Sequence, residues 1–424
     1  MNYEKTTLAN GVRVLITPIP SIPSATLTIW VKTGSRLETA KTSGLSHFLE
    51  HMVFKGSKSR PTAREIAEEI DAIGGEFNAG TSKDWTNFYI KTRAERLDKA
   101  FDVLSDAVLH PLLSSEEIER EKGVIAEEIK MYEDTPMMKI GDVFEELIFA
   151  GNPLGKDTAG DEKTVRLMQR NDFVRYRKAH YYPANILVTV AGNVKKSQVL
   201  ALAGQYFGEI KNKGEKDDFS LFKSVQNRPQ IKLHSKKKEQ AHFILGFLGN
   251  GRNYPQRYAE ALLATILGGG MSSRLFSEIR ERRGLAYAVK SSTERYAETG
   301  YLATQAGVDI KRVDEAIEVT LDQHYGLVSG KYPISQKELE KAKEYIKGNM
   351  ALALEDTKDV NAFFAEQELF LDSVLTPEEA FKKIDKIEIK DVLEEAKKLF
   401  KPERLNLAVI GPYKKADRFA RLLK

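Results

Sequence analysis

Cysteine is missing from this chain altogether. Its absence excludes disulfides, thiolate metal ligands and cysteine nucleophiles together, so any bound metal has to be held by His, Asp or Glu. Long hydrophobic runs are missing too: the longest, such as ALLATILGGGM, fall well short of the roughly 20 apolar residues that a membrane span needs. The N-terminal stretch MNYEKTTLANGVRVLITPIP has neither a continuous apolar core nor a small-residue cleavage site, and acidic Glu4 stands where a secretion signal is basic. A soluble, cytoplasmic protein is expected. Neither sign of charge dominates, with 65 Lys and Arg against 61 Asp and Glu and a net charge of +4, which argues against nucleic acid as the main partner. No lysine at a phosphate-loop position accompanies the glycines of LGGGMSS, so that stretch does not read as a nucleotide site.

What is present is the balance of a globular protein, with 42% hydrophobic and 30% charged residues over 424 positions, enough for two large domains. Alternating stretches such as GVRVLITPI, ATLTIWVKTG and AHFILGFLG read as strands, whereas TAREIAEEIDAIGG, AERLDKAFDVLSDAVLH and QRYAEALLATILGG read as helices. A long helical stretch also runs through QKELEKAKEYIKGNMALALEDTKDVNAFFAEQEL. Strands and helices do not keep a strict parallel rhythm, so the expectation is α+β. Each domain is then a mostly antiparallel sheet covered by helices. The segments YPANILVTVAGNVKKSQV and KPERLNLAVIGPYKKADR share a proline, an apolar strand, a glycine and a Lys-Lys pair in register, from Tyr182 and Lys401 respectively. Duplication is the natural reading. It gives domains at residues 1–213 and 219–424, joined by the charged linker KNKGEKDD, Lys211 to Asp218.

The stretch SGLSHFLEHMVFKGS holds two of the seven histidines and a carboxylate within five residues. Thr42 or Ser43 can cap a helix that ends at Lys55-Gly56, with Leu45, Phe48, Leu49 and Met52 spaced as its packing face. At about 100° per residue, His47, Glu50 and His51 project roughly opposite that face. They form either a solvated polar face or a metal site, since two imidazoles at this spacing can reach one ion while an adjacent carboxylate takes a proton from water. A metal site needs a third ligand. In SSEEIEREKGVIAEEIKMYED, Glu121 and Glu128 lie two turns apart on one side of a second helix, at the edge of a stripe of Ile118, Ile125, Ile129 and Tyr132. Glu127 points nearly the other way, which favours Glu128 as the buried carboxylate. Gly123 costs this helix roughly 1 kcal/mol against alanine, and close approach by another element is its expected reason.

His47, Glu50 and His51, followed by Glu128 after a long spacer, together resemble the inverted zinc motif of the pitrilysin family, which includes insulysin and the mitochondrial processing peptidases. The likeness runs along essentially the whole chain and corresponds to the half-length, two-domain type. It implies one Zn2+ per chain held by His47, His51 and Glu128, with Glu50 the general base that activates water against a peptide carbonyl. Glu121 would support the site from behind the ligands. The alternating stretch GGEFNAGTSKDWTNFYI would be the family's edge strand, where a substrate peptide pairs around Asn78 and Ala79. Arg280 and Tyr287 match the family's Arg/Tyr pair, which would hold the substrate carbonyl and steady the oxyanion. The implied activity is a metalloendopeptidase acting on unfolded peptides within a chamber, closed in half-length members by dimerisation. A homodimer is expected, a heterodimer with a related subunit being the other arrangement. A peptidase specific for one precursor and a non-catalytic scaffold are the alternative functions.

Overall fold

The computed structural model describes residues 1–214 and 219–423. Six strands, β1 (Glu4–Thr7), β2 (Arg13–Pro18), β3 (Ser24–Val31), β4 (Glu76–Thr81), β5 (Thr86–Arg93) and β6 (Ile186–Gly192), form one sheet in the order β1-β2-β6-β3-β5-β4. Five more, β7 (Gln230–Ser235), β8 (Gln240–Asn250), β9 (Ala286–Arg295), β10 (Thr299–Asp309) and β11 (Leu405–Gly411), form a second in the order β7-β11-β8-β10-β9. The α+β expectation holds, with one refinement. Each sheet contains a parallel pair, β2 with β6 and β7 with β11, so the sheets are mixed. The repeat places the same element in both sheets: a 3-10 turn at Pro183–Asn185 leads into β6, and another at Pro402–Arg404 leads into β11.

The helices used below are α1 (Leu45–Val53), α2 (Leu97–Leu109), α3 (Ser115–Asp134), α4 (Pro136–Ile148), α5 (Arg257–Gly268), α6 (Gln336–Ala353), α7 (Thr357–Phe370) and α8 (Ile389–Leu399). Because side chains alternate across a strand, each sheet offers two apolar faces and both must be covered. In the first sheet, Val14, Leu27, Ile29 and Val188 pack under α1 and α2. The opposite face, with Leu15, Trp30, Leu187 and Ala191, is closed by Val360, Phe364, Ala365 and Leu369 of α7. In the second sheet, Phe243, Leu245 and Leu407 pack with α5 and α8. Ile140, Val143, Phe144 and Ile148 of α4 close its other face, against Ile244, Ala408 and Ile410.

All strands of the first sheet lie within 1–213 and all of the second within 219–424, but the compact units exchange one helical segment each. One unit comprises Met1–Lys130, Lys156–Ser220 and Leu352–Pro377; the other comprises Met131–Gly155, Leu221–Ala351 and Glu378–Lys424. The physical reason is the cover each sheet needs on its second face. Gly246 shows how closely α4 seats, since a Cβ there would lie 2.6 Å from the Phe144 ring. The single helical stretch expected from Gln336 onward is broken accordingly. α6 ends at Ala353, and Asp356 caps α7 by accepting the Lys358 N–H at 2.8 Å. Of the charged linker, Lys211–Gly214 is in neither helix nor strand, and residues 215–218 lie outside the described residues.

Candidate metal centre

Helix α1 packs through Leu45, Phe48, Leu49, Met52 and Val53, all buried, as the spacing requires. Its start differs from expectation. The N-cap is Gly44 at φ +93°, without a side-chain cap, because a Cβ there would lie 2.5 Å from the Ala159 carbonyl oxygen. The first-turn N–H groups find their acceptor elsewhere: the Gly44 and Ser46 amides each donate to the buried Glu38 carboxylate at 2.7 Å. Burial pushes the Glu38 carboxyl up to about 7, although these donors, the Ser46 hydroxyl and Lys83 pull it down. At its far end α1 has Phe54 as C-cap, with Gly56 two residues beyond.

On its polar face the helix meets α3 through side chains. His47 Nε2 lies 3.7 Å from Glu128 Oε1 and His51 Nε2 lies 3.5 Å from Glu128 Oε2, while the two imidazole centroids are 4.6 Å apart. One ligand atom from each of the three residues falls within 4.8 Å of the others, and no second such cluster exists among the described residues. Glu127 is exposed and pairs with Lys130, so the preference for Glu128 stands on the helix geometry. Glu121, almost wholly buried, accepts from His51 Nδ1 at 2.9 Å and from Lys55 Nζ at 2.8 Å. Those two cationic or polar partners hold its carboxyl low against the opposing effect of burial. Among the described residues, beyond the backbone of its own helix and its chain neighbours, nothing lies within 4 Å of the place a Cβ on Gly123 would take, so close approach by another element is not its reason and the structure offers no other.

The electrostatics suit a divalent cation. Burial, with neighbouring His51, depresses His47 to about 4, which keeps its imidazole neutral and its lone pair free. Burial works against a charge on His51, yet the Glu121 hydrogen bond and the Glu128, Glu121 and Glu50 carboxylates outweigh it and raise its pKa. The cluster thus places a negative potential where positive charge is wanted. With Nδ1–H given to an ionised Glu121, His51 presents Nε2 toward Glu128, the usual arrangement of a carboxylate-backed metal histidine. His47 has no such support: its Nδ1 is buried without a hydrogen-bond partner among the described residues. Two imidazoles, one carboxylate and a backing carboxylate form a donor set that fits Zn2+.

Glu50 stands beside this cluster, its Oε2 accepting the Thr81 hydroxyl at 2.5 Å. Burial raises the Glu50 carboxyl and Glu128 adds to the shift, while Thr81 and His51 oppose it. Thr81 ends β4, the strand of Asn78 and Ala79, which among the described residues pairs only with β5 and is therefore a sheet edge. The Ala79 N–H donates to the Asn78 side chain at 2.8 Å. Arg280 and Tyr287 belong to the other compact unit, where they come together. Arg280 lies in a short π-helical turn, Phe276–Glu281, with its guanidinium 4.9 Å from the Tyr287 ring centroid and 4.8 Å from that of Phe276. Tyr287 is the second residue of the edge strand β9 and is 82% exposed, which marks it as available for contact. Glu38, Lys55 and Thr81 are the functional neighbours that sequence reasoning missed. Only Lys55 left a signal, one helical turn after His51.

The chain is similar to known proteins in family, sequence and fold. The family model described as insulinase, peptidase family M16, matches residues 13–162, and that of the peptidase M16 inactive domain matches residues 168–346. An uncharacterized zinc protease of Bacillus subtilis, YmxG, is 36% identical over 96% of this chain and 98% of its own length. The chain belongs to peptidase family M16. Another relative, an uncharacterized zinc protease of Mycobacterium leprae, is 34% identical over 99% of this chain and 94% of its own length. In fold, this M16 chain is similar to a protease from Helicobacter pylori, with a TM-score of 0.90 at 24% identity over 97% of this chain and 99% of that one. A peptidase M16 inactive domain structure from Pseudomonas fluorescens gives a TM-score of 0.88 at 20% identity. His47, His51 and Glu128 fall inside the first family match, and Arg280 and Tyr287 fall inside the second. No described helix is long and apolar enough to cross a membrane.

Proposed function

We propose that this M16 chain is a zinc-dependent endopeptidase that cleaves unfolded peptides. The observation that carries the reading is the convergence of His47, His51 and Glu128, with Glu121 behind His51 and Glu50 beside the cluster. His47, His51 and Glu128 would hold the zinc, which when bound polarises a peptide carbonyl and lowers the pKa of water. Glu50 takes the proton from the attacking water and returns it to the leaving amine; its raised pKa suits both halves of that transfer. Thr81 keeps one Glu50 oxygen occupied, so the other meets the water. The edge of β4 offers main-chain groups for strand addition, and an arriving peptide can replace the local bond between Ala79 and Asn78. Pairing through the main chain accounts for acceptance of varied sequences. Arg280 and Tyr287 supply donors for the substrate carbonyl and the tetrahedral oxyanion.

In this reading two copies of the chain enclose a chamber, and each copy carries both the zinc residues and the Arg280/Tyr287 pair. A homodimer is then self-sufficient. The test joins metal analysis to cleavage of several unrelated unfolded peptides by wild type and Glu50→Gln. Zinc should be retained near one equivalent per chain in both proteins, and cleavage should fall by about 10²- to 10⁴-fold in the variant. A fully active Glu50→Gln protein sinks the proposed base, and cleavage confined to one precursor replaces broad degradation with specific processing.

A further inference from the structure

We infer that Lys55 is a positioning residue for the metal site, acting through Glu121 on His51; this rests on the zinc reading above. The geometry is a ladder between α1 and α3. Glu121 Oε2 meets Lys55 Nζ at 2.8 Å, Glu121 Oε1 meets His51 Nδ1 at 2.9 Å, and His51 Nε2 faces Glu128 Oε2 at 3.5 Å. Lys55 stands just past the Phe54 C-cap of α1, four residues after His51, and its side chain and that of His51 both reach Glu121 on α3. Glu121 sits opposite the pair, its side chain 4% exposed. A carboxylate so buried can rotate about its terminal bond, and a single hydrogen bond to a histidine leaves that rotation unspecified. A cation on the second oxygen fixes both oxygens at once. The imidazole plane is thereby fixed, with Nδ1–H directed at Oε1 and Nε2 directed away.

The backbone around Lys55 is itself held. Its N–H donates to the Met52 carbonyl at 3.2 Å, and the Gly56 carbonyl accepts from Leu112 at 3.0 Å. Gly56 has φ +129°, and a Cβ there would lie 2.4 Å from the Pro61 carbonyl oxygen, so the chain leaves the helix in one direction only. An ordinary surface ion pair lacks this setting. Here one partner is buried, and its remaining bond goes to a residue of the metal cluster.

The test measures zinc affinity by chelator competition for wild type, Lys55→Met, Lys55→Arg, Glu121→Gln and the Lys55→Met/Glu121→Gln double variant, alongside thermal melting of the metal-free proteins. Lys55→Met should bind zinc about 10-fold more weakly, within the range seen when such backing partners are lost. Lys55→Arg should stay within about 3-fold of wild type, because a guanidinium can meet the same carboxylate. The double variant should bind no worse than Glu121→Gln alone, since Lys55 acts only through that carboxylate. Metal-free melting gauges what the Lys55–Glu121 pair itself contributes to stability, so that a fall in zinc affinity is told apart from partial unfolding. Wild-type affinity in Lys55→Met, or additive losses in the double variant, overturns the role of Lys55 while leaving zinc binding intact. A wild type that takes up no zinc fails the metal reading instead.

Discussion

The two units share a sheet plan, yet the helices that follow their central strands differ in kind. After β3 comes α1, apolar on one face and carrying His47, Glu50 and His51 on the other. After β8 comes α5, in which Leu262, Leu263, Ala264, Ile266 and Leu267 are all buried. The outer face of α5 is packed by Val392, Ala396 and Leu399 of α8, so its back is a second core. Its one buried carboxylate, Glu260, is taken by Arg295 at 2.8 Å and by Asn250. The same architecture therefore yields a cluster of histidines and carboxylates where the facing helix brings glutamates and a plain core where it brings valine, alanine and leucine. What differs is the chemistry of one helix face. The sheet plan does not decide it.

That contrast can be broken from either side. The largest effect is expected on the metal side: His51→Ala should lower zinc affinity beyond the roughly 100-fold typical of losing an outer partner, and abolish cleavage, as read by chelator competition and peptide assay. On the packed side, Leu263→Ala should cost about 2–5 kcal/mol of stability by opening a cavity in the second core, with zinc affinity unchanged. Denaturant melts of the zinc-loaded and metal-free variant would check both halves of that statement.

The smallest effect concerns Glu38, the acceptor for the first turn of α1. Its folded pKa of about 7 lies above the unfolded value of 4.5, so the folded state binds this proton more tightly. The stabilisation from that proton is complete below the unfolded value and is lost as pH rises through about 7, at most about 3 kcal/mol. Glu38→Gln should accordingly melt with a flatter pH dependence than wild type between about pH 5 and about pH 8, the two curves diverging as pH rises. Parallel curves would show that Glu38 does not titrate in this window.

The candidate site was largely legible because its spacing is local. Two histidines one turn apart must share a helix face, and Glu121 and Glu128 two turns apart must share another. Edge position was legible in the alternation of β4. Other features were not. Gly44 rather than Ser43 begins α1 because Ala159, more than a hundred residues away in sequence, occupies the space where a side chain would go. Thr81 and Glu38 have no spacing relation to Glu50 or α1, since their contacts arise from the end of β4 and the segment after β3. The break at Asp356 carried a capping residue that could have been read, but the apolar period continues across it into α7.

By itself the sequence determined which residue types could hold a metal, which helix faces they share and that one strand-turn unit occurs twice, since periodicity and composition are properties of neighbouring residues. Only the tertiary structure decided that Glu128 meets both histidines, that Glu121 is tied to Lys55 as well as to His51, and that α4 and α7 are exchanged between the compact units. Those outcomes depend on burying both faces of two sheets at once, a requirement that no local stretch of chain contains.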